Sequence, residues 1–243
     1  MEKHVVYSGT RNLYPDMVTA AKSLIANSSV TDIHLLIEDD AFPYVLPDGP
    51  VRFHVRNMSG QTWFPPSGPN YTTVFTYMAM IRAAYAEIFS DLDRIVSFDC
   101  DTVCVDDVDY LWEVDLEGNW VGAAREYLGT YRPYGNKYWN VGVCVYDLDR
   151  MRRENATERL VDMINTVKLW CVEQDALTST KRVFTLPERY NESAVTGYTD
   201  KPAVVHFASF GTTWRNCNKV PRREYWKRYE NMTWDEVYEC RKC

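Results

Sequence analysis

The chain has 243 residues, enough for one large or two small domains and ample for a buried core. Hydrophobic residues make up 46% and charged residues 25%, an ordinary balance for a soluble globular protein, and no apolar run approaches a membrane span. A net charge of −7 argues against nucleic acid as the main ligand.

In chain order, residues 4–8 read as a strand and 14–26 as a helix with apolar positions at Met17, Ala20, Ala21, Leu24 and Ile25. Strands follow at 32–37 and 51–55, then a Pro/Gly-rich loop over 60–70 that carries Trp63 and Phe64. Residues 73–89 read as one helix and 94–98 as a strand. This repeated alternation predicts an α/β sheet with largely parallel strands, whose ligands bind beyond the strands' carboxyl ends. The loops at 8–12 and 99–101 both lie there, and so should share one crevice. The second half gives strands at 120–124 and 138–146, then a helix over 154–170 capped near Asn155. Another helix starts at 171–177, and short strands fall at 183–186 and 203–207. The tail, 221–243, reads as one or two outer helices. No linker or internal repeat interrupts the chain, so one compact domain fits best.

The strand at 94–98 runs directly into Asp99-Cys100-Asp101. Carboxylates at i and i+2 of an extended segment point the same way, and two such anions become favourable neighbours when a divalent cation sits between them. Acidic residues after a strand also form turns and caps. The string Asp99-Cys100-Asp101-Thr102-Val103 also matches a phosphatase pattern, with the first Asp as nucleophile and the second as general acid.

Aromatic residues form 14% of the chain, which suits sugar-stacking or interface surfaces as well as a core. Entry into a strand directly after Met1-Glu2-Lys3 predicts a cytoplasmic protein. Seven cysteines, including Cys240-x-x-Cys243, and six N-x-S/T sequons (Asn27, Asn57, Asn70, Asn155, Asn191 and Asn231) also suit a lumenal or secreted fragment. In an oxidising compartment Cys217 would pair with one of the terminal cysteines. In a cytoplasm all would be free thiols.

The order of motifs resembles the retaining nucleotide-sugar glycosyltransferases of family eight. The matching stretches are Val5-Val6-Tyr7-Ser8-Gly9-Thr10-Arg11-Asn12, Arg82, Phe98-Asp99-Cys100-Asp101 and Leu111-Trp112. They continue with Tyr138-Trp139-Asn140-Val141-Gly142-Val143 with Asp147-Leu148, Glu173-Gln174-Asp175-Ala176-Leu177, Leu186-Pro187 and His206-Phe207. The resemblance implies a GT-A fold, a Rossmann-like mixed β-sheet flanked by helices. It places the catalytic domain at 1–215, with the aromatic, charged tail 216–243 packed on or beside it.

It further implies that Asp99, Asp101 and His206 hold Mn²⁺, or Mg²⁺, against the diphosphate of a UDP-sugar. Ser8, Gly9, Thr10, Asn12 and Cys100 would line the nucleoside pocket, and Arg82 would reach the donor sugar or its phosphates. Asn140 and Gly142 would lie beside the sugar, with glycine letting the backbone approach closely, and Glu126 near the acceptor. Glu173 and Gln174 would border the anomeric carbon, with Glu173 either a nucleophile or a hydrogen-bonding partner of sugar hydroxyls. Retention requires a covalent intermediate on that face or front-face attack assisted by the leaving phosphate.

The implied activity is transfer of a hexose, glucose or galactose, to a hydroxyl of a glycan or other glycoconjugate. The 63–66 loop and the aromatic tail are candidate acceptor walls by position. Three departures from the family pattern stand out. Glu173 replaces the usual Asp, and Leu13 stands where an aromatic usually follows the asparagine. The diphosphate-binding lysine after the histidine is missing, with Arg215 or Lys219 as substitutes. A catalytically silent sugar-nucleotide or glycan-binding relative is the alternative that the missing lysine motivates, and a metal-dependent phosphohydrolase is a further one.

Overall fold

The computed structural model of the protein describes residues 2–73, 75–126, 137–194, 199–208 and 220–241. At its centre lies β1 (His4–Gly9), whose Val5, Val6 and Tyr7 are fully buried. Side chains alternate faces along a strand, so β1 feeds two cores. Val5 and Tyr7 pack with Met17, Leu24 and Ile25 of α1 (Tyr14–Ala26), whereas Val6 joins Tyr85, Ile95 and Tyr146 on the other face. Pro15 starts α1 in its first turn, where a missing N–H costs nothing.

Parallel to β1 run β2 (Asp32–Ile37) on one side and β4 (Arg94–Phe98) on the other. Beyond β2 lies β3 (Arg52–Asn57), also parallel, whose mostly exposed Arg52, His54 and Arg56 suit a sheet edge. The parallel pattern stops at β4. Next to it β7 (Trp139–Asp147) runs antiparallel, as does β6 (Val121–Arg125) against β7, and β8 (Val183–Thr185) returns parallel to β6. The order β3-β2-β1-β4-β7-β6-β8 makes a mixed sheet, so the expectation of largely parallel strands holds only for its first half. Antiparallel neighbours need no crossover helix, and none follows β4. A tight turn leads instead into β5 (Thr102–Cys104), which pairs antiparallel with β10 (Val204–His206). β9 (Glu192–Ser193) completes this second, three-stranded sheet, parallel to β10.

Two expected helices are broken. In place of a helix over 73–89 the chain forms α2 (Tyr77–Met80), a 3₁₀ turn over Ile81–Ala84, and α3 (Tyr85–Ile88). Thr76 starts it by accepting the Met78 N–H. The 3₁₀ turn carries Arg82, and tightened turns inside helices are common at functional sites. In place of a helix over 154–170 come α5 (Leu148–Arg153) and α6 (Ala156–Thr166). Asn155 lies between them in the left-handed region (φ 52°), which Asn tolerates, and its side chain makes no cap bond. The Asn70 amide holds the end of α6 by donating to Ile164 O at 2.6 Å and Val167 O at 2.7 Å.

After β5 a short α4 (Tyr110–Glu113) precedes β6, and α7 (Val172–Thr180) precedes β8. The tail forms α8 (Arg223–Glu230) and α9 (Trp234–Cys240), the latter opened by a Thr233/Glu236 capping box. Trp226, Tyr229 and Val237 are buried in the core that α1 shares, and the Asn27 amide donates to Tyr229 Oη at 2.8 Å. Here the aromatic surplus is core. Cys100, Cys104, Cys144 and Cys171 are buried free thiols, and Cys240 is an exposed free thiol. Cys217 and Cys243 lie outside the described residues. Of the six sequons, those at Asn27, Asn70 and Asn191 have buried side chains whose amide nitrogens donate inside the fold, so they are structural residues first. No described helix is long and apolar enough to cross a membrane.

Candidate active site

The two aspartates are not on a strand. β4 ends at Phe98, and Asp99–Asp101 form a turn closed by Thr102 N–H to Asp99 O at 3.2 Å, with the Thr102 hydroxyl on the same oxygen at 2.7 Å. The turn, not pleat alternation, brings the carboxylates together. It is tied down at both ends, by Asp99 N–H to Gly142 O on β7 at 2.7 Å and by Phe207 N–H to Asp101 O at 2.9 Å. Pairing of β10 with β5 aligns His206 with Thr102 and so delivers the imidazole to the same place. His206 Nε2 stands 3.4 Å from Asp99 Oδ2 and 3.2 Å from Asp101 Oδ1.

One ligand atom from each of Asp99, Asp101 and His206 falls within 4.8 Å of the others. Two carboxylate oxygens and an imidazole nitrogen form a donor set suited to a hard-to-borderline divalent cation such as Mn²⁺. The residues present therefore fit a divalent cation. Burial raises the Asp99 carboxyl, but the Arg82 guanidinium and then the His206 ring outweigh it and hold Asp99 well below the usual carboxylate range. His206 is pulled down by burial and pushed up further by Asp101 and Asp99, to about 10.

Gly142 is packed directly against the imidazole. A Cβ built there would meet His206 Cε1 at 2.1 Å and Nδ1 at 2.4 Å, so the imidazole lies directly over this backbone.

Arg82 is 3% exposed and bridges Val141 O on β7, at 2.7 Å, to the Asp99 carboxylate. Beyond it Gln174 on α7 accepts the Val141 N–H at 3.1 Å. Asn140 donates to Glu126 Oε2 at 2.8 Å, and Gln174 reaches the same oxygen at 3.4 Å. Glu173 is 6% exposed, its Oε2 is buried without a hydrogen-bond partner, and burial lifts its carboxyl to about 7 despite the pull of Arg82.

Asp175, which sequence reasoning passed over, fixes this helix start. One oxygen accepts the Tyr138 hydroxyl at 2.6 Å, and the other accepts the Trp170 and Cys171 N–H groups at 2.8 and 3.0 Å. Those bonds hold a turn in which Val172, a β-branched residue, has φ 25°, a strained value of the kind found at functional sites.

These side chains open into two adjoining cavities. One, of about 300 Å³, is lined by Ser8, Gly9, Thr10, Asn12, Leu13 and Cys100. The other, of about 440 Å³, is lined by Glu126, Asn140, Val141, Glu173, Gln174 and His206. Arg82, Asp99, Asp101 and Phe75 line both. The floor of the first is compact, since a Cβ on Gly9 would meet Cys100 Sγ at 3.1 Å, and the buried thiol approaches Ser8 O at 3.4 Å.

The sequence profile of glycosyl transferase family 8 matches residues 4–217. The chain belongs to glycosyl transferase family 8. Among its relatives are the probable galacturonosyltransferase 4 of Arabidopsis thaliana, 26% identical over 76% of this chain and 34% of that protein, and general stress protein A of Bacillus subtilis, 26% identical over 67% and 68%. This family 8 chain thus spans about a third of the plant relative. Its backbone matches the glycosyltransferase GlyE of Streptococcus pneumoniae TIGR4 with a TM-score of 0.77, at 19% identity over 98% of this chain and 62% of that one. It matches the galactosyltransferase LgtC, solved with donor and acceptor sugar analogs, with a TM-score of 0.68, at 19% identity over 98% and 99%. The fold is GT-A.

The sequence-derived residues all border one of the two cavities except Gly142, which supports His206 from below. Arg215 and Lys219 lie outside the described residues. The 63–66 loop lines neither cavity: Phe64 is buried core and the Trp63 indole donates to Glu87 at 2.8 Å. Phe75, which lines both cavities, carries no sequence signal that sets it apart from the aromatic and apolar residues around it. Asn191, four residues after the Leu186-Pro187 motif, stands out in the sequence only as a sequon.

Proposed function

We propose that this family 8 chain is a metal-dependent retaining glycosyltransferase that moves a hexose, glucose or galactose, from a UDP-sugar to a hydroxyl of a glycan or other glycoconjugate. The observation that carries this reading is the pair of cavities joined over Asp99, Asp101 and Arg82. The nucleoside lies in the first, over Ser8, Gly9, Thr10, Asn12 and Cys100. The sugar and the incoming hydroxyl lie in the second, and the diphosphate spans the acids between them.

Asp99, Asp101 and His206 would hold Mn²⁺, with Mg²⁺ as a second fit for the oxygen donors. Bound there, the cation supplies Lewis-acid compensation for the charge that the UDP leaving group gains. Arg82 fixes Asp99 and adds a buried positive charge beside it. Glu126 orients the Asn140 and Gln174 amides by accepting from both, which presents them to the sugar. Glu173 binds sugar hydroxyls: its buried, unpartnered oxygen gains a donor when the sugar arrives, and burial disfavours its ionised form, the one a nucleophile needs.

The test is nucleotide release by the purified protein from a panel of UDP- and GDP-sugars with Mn²⁺, with and without chelator. Chelator-sensitive UDP release from one sugar is the expected result. Silence across the panel, with binding still visible as a thermal shift, would overturn it in favour of a sugar-nucleotide-binding relative. Phosphate release from simple esters would point to a phosphohydrolase.

A further inference from the structure

A chain of side-chain amides runs from Glu126 to His206, and its polarity is fixed at one point by the backbone. Gly142 N–H donates to Asn140 Oδ1 at 2.9 Å. A backbone amide can only donate, so Asn140 turns its oxygen to Gly142 and its nitrogen to Glu126 Oε2 at 2.8 Å, a carboxylate oxygen that accepts. Asn191 meets the same Asn140 Oδ1 at 2.8 Å and the Asn140 carbonyl at 3.3 Å. Both are acceptors, so the Asn191 atom facing them is its nitrogen. Its oxygen therefore faces His206 Nδ1, at 2.9 Å. An amide oxygen cannot donate, so Nδ1 carries a proton and Nε2 is the nitrogen directed at Asp99 and Asp101.

We propose that Asn191 is a positioning residue that fixes His206 with its proton on Nδ1 and its Nε2 aimed at the Asp99–Asp101 pair. Several observations converge on this. Asn191 is 4% exposed, so its amide is shielded from bulk solvent, and it lies where the Leu186-Pro187 segment turns into β9. Asn191 is the last residue of the 3₁₀ turn that leads into β9, and β9 pairs with β10, which carries His206, so the pairing brings the turn's end beside the imidazole. The imidazole is held from the other side by the missing Cβ of Gly142. Hydrogen bonds to the non-ligating nitrogen of a metal-binding histidine orient the ring and raise its basicity. The same chain begins at Glu126 on the sugar side, so one network orients both the cation ligand and the Asn140 amide. It also explains the sequon at Asn191: the asparagine is used for its two-sided amide.

The inference rests on reading Asp99, Asp101 and His206 as a divalent-cation site, and the experiment separates the two. In metal-free protein with ¹⁵N-labelled histidine, the His206 Nδ1–H gives a slowly exchanging, downfield signal. Asn191→Ala loses that signal, while Asn191→Asp, which keeps an acceptor facing Nδ1, retains it. In parallel, Mn²⁺ titration followed by electron paramagnetic resonance gives binding roughly ten- to a hundredfold weaker in Asn191→Ala and within a few-fold of wild type in Asn191→Asp. An Nδ1–H unprotected in the wild type, or equally protected in Asn191→Ala, overturns the role of Asn191 whatever the Mn²⁺ result. A protected Nδ1–H that Asn191→Ala loses, in a protein that binds no Mn²⁺, overturns the cation reading and upholds the positioning role.

Discussion

Two clusters of histidine and carboxylate lie among the described residues, and the shifted histidines, His34 in one and His206 in the other, move in opposite directions. One is spread across the parallel strands, where His4, His34 and His54 line up with Asp32. The His4 and His34 rings meet nitrogen to nitrogen at 3.1 Å, and His34 and His54 stack at 4.6 Å. Phe89 closes edge-on over His34 at 4.9 Å, and Asp32 accepts from His54 and from Arg52. Burial, then the neighbouring imidazoles of His54 and His4, push His34 down to about 4. The other cluster lies beyond the end of β4. It holds the remaining histidine of the chain, pushed up to about 10 because two carboxylates outweigh its burial. The number of imidazoles does not make a site. Donor atoms that converge on one point beside a cavity, with like charges needing compensation, do.

The comparison can be broken most directly at Asp101. Asp101→Ala should reduce cation-dependent transfer by about a thousandfold or more, with the far-ultraviolet circular dichroism spectrum unchanged. His34→Gln should leave kcat within about twofold. Wild-type activity in Asp101→Ala would remove the distinction between the clusters.

Gly142→Ala tests whether ring placement matters. Its Cβ has no room beside His206 Cε1, so Mn²⁺ affinity should fall about ten- to a hundredfold and stability by about 1–3 kcal/mol. Gly60→Ala, which points into open space, is the control that should change neither.

Glu173→Gln sharpens the comparison from within the cavity. Glu173 ordinarily titrates near 4.5 and is lifted to about 7, so the folded chain keeps a proton that the unfolded chain releases. That contribution to stability is complete below pH 4.5 and is lost as pH rises through 7. The variant removes the loss, so its melting temperature in chelator should exceed that of the wild type at pH 8 and match it near pH 4.5. An unchanged difference across that window would contradict the assignment.

The smallest effect belongs to the stacked histidines. His34 falls from about 6.5 to about 4, so its neutral form contributes stability that is complete above pH 6.5 and lost as pH falls toward 4. Glu2, His4, Asp32, Arg52, His54 and Asp91 are the ionisable groups around it. His34→Gln should flatten that part of the stability profile by a few degrees of melting temperature, read by thermal unfolding.

The ordering of motifs along the chain was enough to recognise the family, because the residues that build the site are packed into short, distinctive strings. Periodicity placed β1, α1, β2 and β4 well, since each is a continuous apolar run with one dominant pattern. It failed at 73–89, where Arg82 is held in a 3₁₀ turn by distant Val141, and at 154–170, where Asn155 in the left-handed region breaks the helix.

The site divides in the same way. Asp99 and Asp101 were legible as candidate donors from residue type and local pattern, and His206 only through the family resemblance. Three other features came only from the tertiary structure: the turn that joins the aspartates, the strand pairing that brings His206 to them from over a hundred residues away, and the amide chain through Asn191. Sequence by itself determined the chemistry on offer, because residue type fixes what each side chain can donate or accept. Only the fold decided which lone pair faces which proton, because that depends on distance, burial and which backbone groups lie opposite. Gly142 shows the difference most plainly. From the sequence it is a place where something comes close, and in the structure that something is the ring of His206.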